Sequence, residues 1–159
     1  AEMAALNLFV GFKGDAEEMK LPRRNLWLFP SWDHDLNCER FKADWSAPFP
    51  VVFIGFPSAK DPSYSVRYPK HQVALVISSV PYEAFEQFEN RGKEYENIKQ
   101  VFKDRLMNCL LREFPQLEDK IEVVELGTPL TFDHFLRSHR GSFLGLAHTR
   151  HRFECDWLS

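Results

Sequence analysis

A segment in the second half of the chain carries apolar side chains at the spacing of an α-helix. They recur at steps of three and four residues, and they are Ile98, Val101, Phe102, Leu106, Cys109, Leu110 and Phe114. Residues at this spacing share one face of a helix, and Pro115 follows where a helix would end. The pattern predicts a helix over Tyr95–Phe114 with an apolar face that must be buried against another layer of structure.

Short apolar runs bounded by Gly or Pro can supply that second layer. β-branched residues recur in the best of these runs, Gln72–Ser79, as is typical of strands. The predicted strands are Leu6–Phe12, Asn25–Phe29, Val51–Phe56, Gln72–Ser79 and Ile121–Leu126. Further helices are predicted over Asp33–Ala43, over Tyr82–Phe88, and from the N-cap Thr128 to about Leu136. Residues 58–69, rich in Pro and Ser, are predicted to form a long loop.

Helices and strands mix along the chain without the strict alternation that a doubly wound parallel sheet requires. The order favours an α+β fold, with a mixed or antiparallel sheet of about five strands and helices on one face. The length of 159 residues suits one domain.

Composition and motifs exclude several functions. The chain has 20 Lys+Arg and 23 Asp+Glu, a formal net charge of −3, whereas binding to nucleic acid needs a basic surplus. The cysteines lack CxxC spacing, and His148 and His151 are too few for a zinc site, so we predict no metal. No nucleophile elbow, HExxH, Walker or GxGxxG motif is present. The catalytic residues are therefore unknown from the sequence.

Phenylalanine is unusually frequent, with 15 residues in the chain. One interpretation is a core rich in aromatic rings. The other is that some of these rings line an apolar ligand cavity or face a domain that this chain lacks.

The run Phe56-Pro57-Ser58-Ala59-Lys60-Asp61-Pro62 resembles the retinol saturase family, within the carotenoid isomerase and phytoene desaturase-like flavoproteins. Other segments match that family in order: Phe9–Gly11, Arg67–Pro69, Tyr95–Glu96, Phe114–Glu118, Pro129–Thr131 and Arg140–Gly141. The resemblance spans roughly residues 6–148 and implies an internal-to-C-terminal fragment of such a protein. Residues 1–148 would then be a fragment of a substrate domain, similar to that of amine-oxidase-like flavoproteins. Residues 149–159 would be a divergent, disordered tail.

The resemblance also implies an activity, which is reduction of a double bond in all-trans-retinol or a related retinoid or carotenoid-like polyene. FAD would be the cofactor of the parent enzyme, NAD or NADP its reductant, and the endoplasmic reticulum membrane its location. The FAD-binding domain would be missing here, so we expect this chain alone to bind no cofactor. The alternative is a non-catalytic module that binds a lipophile or a protein partner. The sequence leaves open whether the isolated chain is an enzyme.

Two sets of site residues follow. By resemblance, Arg140, Gly141 and Gly145 match an Arg-Gly-x-x-x-Gly stretch that lies toward the flavin, although Leu144 stands where an aromatic residue is usual. A polyene slot is expected from the apolar residues of two strands and the long helix. The slot residues are Phe53, Phe56, Leu75, Ile77, Phe102 and Leu106.

Overall fold

The structure, a computed structural model, describes residues 4–145, 149–155 and 157 of the chain. The strands are β1 (Ala4–Lys13), β2 (Leu26–Leu28), β3 (Val52–Gly55), β4 (His71–Val80) and β5 (Ile121–Gly127). The α-helices are α1 (His34–Ala43), α2 (Pro57–Lys60), α3 (Tyr64–Arg67), α4 (Glu83–Glu86), α5 (Lys93–Glu113), α6 (Pro129–Leu136) and α7 (Arg150–Phe153). Two 3₁₀ helices span Pro115–Lys120 and His139–Gly141.

The strands described form one antiparallel sheet in the order β2-β3-β4-β1-β5. Its centre is the pair of long strands β1 and β4, which are in register from Ala4 opposite Val80 to Lys13 opposite His71. The predicted α+β fold is confirmed, and of the two predicted sheet types the antiparallel one is found.

The two faces of this sheet differ in what covers them. On β1 the side chains of Leu6, Leu8, Val10 and Phe12 are fully buried, whereas Phe9 points to the opposite side and is half-exposed. We call the buried side the inner face and the other side the outer face. Helices α1, α4, α5 and α6 contribute to the same core as the inner face, through Phe41, Phe85, Phe102, Leu106, Leu110 and Leu130.

Helix α5 provides the largest part of that helical layer. Its buried stripe consists of Tyr95, Phe102, Leu106 and Leu110. The helix begins at Lys93, two residues before the predicted start, and Phe114 is its C-cap. Val101, predicted on the apolar face, is instead half-exposed, because one residue turns a helix by about 100° away from Phe102.

The helix starts follow the predicted capping chemistry. The backbone N–H of Leu36 donates to Oδ1 of the N-cap Asp33 at 3.0 Å. At α6 the backbone N–H of Thr128 donates to Oγ1 of Thr131 at 3.0 Å, in a capping box. Both N-cap predictions are confirmed, and α6 ends at Leu136 as expected.

Two segments differ from the prediction. The expected loop over 58–69 contains the single-turn helices α2 and α3. They are linked by Asp61, whose Oδ1 accepts hydrogen bonds from the backbone N–H and the hydroxyl of Ser63 at 2.9 and 2.7 Å. Such short helices show no periodicity from which they could be predicted. The helix predicted over Tyr82–Phe88 is also shorter, spanning Glu83–Glu86.

Candidate functional site

The outer face of the sheet carries an apolar surface. Across β2, β3 and β4 the residues Trp27, Phe53 and Ile77 are directly opposite one another, and the rings of Trp27 and Phe53 meet edge to face at 5.1 Å between centroids. The neighbouring pair is Leu75 and Phe9, on the central strands β4 and β1. The exposed fractions of Phe9 and Trp27 are 50% and 60%, although both side chains are large and apolar. Exposed apolar surface of this kind commonly marks a binding site.

A groove of about 440 Å³ opens in this face. Gly11 lies at its floor, because it has no side chain between its sheet neighbours Val73 on β4 and Val123 on β5. The walls are apolar and include Phe9, Pro57 and Leu75. A Cβ atom added at Gly11 would lie 3.5 Å from Cβ of Val123, an ordinary contact distance. The groove could therefore be filled by substitution at Gly11 without disturbing the strand.

The structure brings together only half of the predicted slot. Phe53, Leu75 and Ile77 lie side by side on the outer face. Phe56, Phe102 and Leu106 are fully buried on the inner side, so the sheet separates the two sets. Phe53 lies on the outer face of β3, whereas Phe56 follows β3 as the N-cap of α2, and Phe102 and Leu106 lie on the buried stripe of α5.

The sequence prediction also missed several groove residues. Phe9, Gly11, Val73 and Val123 line the groove, but none of them was assigned to the slot. The two-residue spacing along the strands could have identified two of these residues. Val73 is two positions from Leu75, and Gly11 is two positions from Phe9, so each pair must share a face of its strand.

The guanidinium of Arg140 is paired with two carboxylates. Its Nη2 lies 2.6 Å from Oε1 of Glu83, and its Nη1 lies 2.7 Å from Oε1 of Glu86. The hydrogen bond to Glu86 is the main reason why the pKa of Arg140 is raised. The pKa of Glu83 is lowered, first by its own backbone N–H and then by Arg140. Arg140 also lies over the ring of Tyr82, 4.8 Å from its centroid. The side chain therefore attaches the segment after α6 to α4.

The two glycines near Arg140 have different surroundings. Gly141 has a φ of +62°, and a Cβ atom there would lie 2.6 Å from the carbonyl oxygen of Pro129. Gly145 has a φ of +76°, and a Cβ atom there would meet nothing within 4 Å. The space beside Gly141 is thus occupied by the start of α6. Arg140 and Gly141 thus make internal contacts, whereas the space beside Gly145 is open, and the assignment of all three to the flavin stays a prediction.

Two further features concern the described part of the chain. No group of three or more His, Cys, Asp or Glu side chains there could hold a metal ion. Within the same residues, no helix is both long and apolar enough to cross a membrane. His148 and the predicted domain boundary at residue 148 lie outside the described residues, while α7 lies within the predicted tail.

The amino-acid sequence of this chain is similar to those of several known proteins. The chain is 35% identical over 155 residues to the all-trans-retinol 13,14-reductase of Rattus norvegicus, covering 92% of this chain and 26% of that protein. It is 33% identical over 151 residues to the human all-trans-retinol 13,14-reductase, covering 89% of this chain and 25% of the relative. The chain is homologous to part of the retinol saturase and carotenoid isomerase proteins. The predicted resemblance is confirmed.

A more distant relative extends the same relationship. Prolycopene isomerase 1 of an Oncidium hybrid cultivar is 28% identical over 115 residues, covering 69% of this chain and 19% of the relative. No protein-family model matches the chain. The chain spans about a quarter of the length of the retinol reductases that it matches.

Proposed function

We propose that this chain forms the substrate-side part of a flavin-dependent oxidoreductase acting on all-trans-retinol or a related polyene. The outer face of the sheet is the surface on which the polyene lies. The observation that carries the proposal is this apolar, partly exposed face in a chain homologous to retinol reductases and prolycopene isomerases. In the same proposal, this part of the enzyme has the fold of an amine-oxidase-like substrate domain.

The shape of the outer face suits a long apolar ligand. Neighbouring strands lie about 4.8 Å apart, so the apolar row from β2 to β4 extends about 10 Å across the sheet. Trp27, Phe53 and Ile77 occupy three successive places in one row, and Leu75 and Phe9 occupy neighbouring places in the next. The first row continues with Asn7 on β1 and the second with Glu125 on β5. A conjugated chain has no polar group along its length, so the apolar stretches of these rows can bind it without leaving a polar group of the ligand unpaired.

The proposal assigns the flavin, and the NAD or NADP that would reduce it, to residues beyond this chain. Arg140 and Gly141 make internal contacts instead, with Glu83, Glu86 and Pro129. The contribution of this chain is to position the polyene and to exclude water from one side of it. Attachment of the parent enzyme to the endoplasmic reticulum membrane belongs to the same proposal.

A second candidate is a non-catalytic module that binds a lipophile. It is favoured by the combination of an open apolar groove with an Arg-Gly stretch that is engaged internally. Mixing the purified chain with FAD, followed by gel filtration, tests the second candidate, whereas the first candidate also predicts no retained flavin because it assigns the flavin to residues beyond this chain. Retained flavin absorbance in the protein peak would contradict the non-catalytic candidate.

The outer face is tested by binding of all-trans-retinol to the purified chain, followed by ligand fluorescence. Val123→Asp places a charge in the groove, and Gly11→Leu fills the groove floor. We expect each to weaken retinol binding by about tenfold, because a charge or an overfilled site removes the apolar contact. Val101→Asp is the matched control, since it changes a similarly exposed valine on α5, on the other side of the sheet. The proposal fails if both outer-face variants bind retinol as the unmodified chain does.

A further inference from the structure

A second depression lies on the helical side of the sheet. It has a volume of about 600 Å³ and is enclosed by α5, the residues after β2 and the loop before β3. Its apolar wall includes Leu28, Phe29, Phe49 and Val52. A volume of this size is typical of small-molecule sites. Since Val52 points to the inner face, this pocket is separate from the groove on the outer face.

Its polar side comes from one stripe of α5. Arg105, Asn108, Cys109 and Arg112 all line the pocket, and their spacing of three, four and seven residues puts them on one face of the helix. The two arginines are seven residues apart, which is about 10 Å along the helix axis. Asn108 and Cys109 lie between them.

Arg105 has no carboxylate within ion-pair distance among the described residues. Its Nη1 and Nη2 donate to the backbone carbonyls of Trp45 and Ala47, and no described carboxylate forms an ion pair with it. Its Cζ lies 4.4 Å from the ring centroid of Phe49. Burial lowers the pKa of Arg105. The carboxylate of nearby Asp44 attracts Arg105 electrostatically, and it accepts hydrogen bonds from the N–H and hydroxyl of Ser46 at 2.8 and 2.7 Å.

Arg112 adds a second positive charge that is weakly held. Its Nε lies 3.3 Å from Oε1 of Glu113, its neighbour in sequence, and both groups are open to solvent. Exposed pairs of this kind contribute little free energy, so the guanidinium can turn toward a ligand at small cost. The described lining of the pocket contains both arginines and no Asp or Glu.

We propose that this pocket binds an amphipathic anion, namely a long apolar chain that ends in a carboxylate. The carboxylate accepts hydrogen bonds from the unused N–H groups of Arg105 and from Arg112, because a guanidinium has five donors and matches a carboxylate geometrically. The apolar chain of the ligand lies against Leu28, Phe29 and Phe49. This site is independent of polyene binding on the outer face.

The test is calorimetric titration of the full chain with oleate, oleyl alcohol and acetate. Oleate should bind at least about tenfold more tightly than either of the others, because only oleate has both the charge and the apolar chain. Its affinity should fall as salt is added. Arg112→Met should weaken oleate binding by about fivefold, and Arg105→Gln by more, since Arg105 is the less exposed group. Lys103→Met, on the opposite flank of α5, is the matched control and should bind as the unmodified chain does.

Several outcomes would overturn the proposal. Equal binding of oleyl alcohol would show that the charge is not recognised, and equal binding of acetate would show that the apolar wall is not used. Loss of oleate binding in Val123→Asp but not in Arg112→Met would place the fatty acid on the outer face instead. If Arg105→Gln fails to fold, the proposal is tested by the oleate affinities of Arg112→Met and Lys103→Met and by the salt dependence of oleate binding. Equal affinities of these two variants would then overturn it.

Discussion

Replacing Gly141 by alanine should destabilise the folded chain far more than the same change at Gly145. Both glycines have a positive φ, +62° and +76°, so alanine carries a backbone cost at either position. For a residue with a Cβ atom, the left-handed conformation costs about 1–2 kcal/mol. The two positions differ in what the new methyl group would meet.

At Gly141 the methyl carbon would lie 2.6 Å from the carbonyl oxygen of Pro129 and 2.9 Å from its Cα. Both atoms belong to the backbone at the start of α6, which a side-chain rotation cannot relieve. Overfilling a packed site costs about 1–3 kcal/mol, so the total for Gly141→Ala is about 2–5 kcal/mol. At Gly145 no atom lies within 4 Å of the new carbon, and only the backbone cost of about 1–2 kcal/mol remains.

Urea unfolding followed by circular dichroism measures both free energies without any cofactor present. The midpoint of Gly141→Ala should fall well below that of Gly145→Ala, with similar slopes if unfolding is two-state. Equal stability of the two variants would refute the reasoning. Space would then be available beside Pro129, and a cofactor role for Gly141 would regain support.

The remaining predictions concern one hydrogen bond and one ion pair. Tyr95→Phe should lower the free energy of unfolding by about 1–2 kcal/mol, because the buried Tyr95 hydroxyl and Oγ1 of Thr128 share a 3.0 Å hydrogen bond. Tyr68→Phe is the control, since it removes a hydroxyl from an exposed ring. Nζ of Lys99 donates to Glu125 at 2.6 Å, and this hydrogen bond lowers the pKa of Glu125. The folded state therefore gains stability above the unfolded pKa of about 4.3 and loses it as pH falls through the lower folded value. In urea unfolding at pH 6, the free energy of unfolding of Glu125→Gln should be about 0.5 kcal/mol below that of the unmodified chain. This difference should disappear in acid, and a difference that stays constant with pH would contradict the prediction.

Elements with a clear period or cap could be predicted from the sequence alone. The stripe Phe102, Leu106 and Leu110 repeats at helical spacing, and it is buried in α5 as expected. Asp33 caps α1, as its position before the helix indicates. These features are local, so the residues that determine them lie within a few positions of one another.

The candidate site was harder to predict because it depends on which face of a strand a residue occupies. The run Val51–Phe56 is apolar on both sides, so hydrophobicity alone does not distinguish Phe53 on the outer face from Phe56 in the core. Strand order is likewise non-local, because the groove needs β1 between β4 and β5. Glycine is ambiguous in another way. Close approach by a flavin and close approach by Pro129 would both require Gly141 to lack a side chain.

The central place of β1 in the sheet has a consequence for synthesis on the ribosome. Phe9 pairs with Glu125, so one edge of this early strand stays open until most of the chain has emerged. Such long-range pairing folds slowly, and an unpaired apolar strand edge is a site of aggregation. A nascent chain that stops before β5 would leave the backbone N–H and C=O groups of β1 unpaired at that edge, over Asn7 to Phe12. The open edge of β1 is therefore closed only when β5 adds to the sheet.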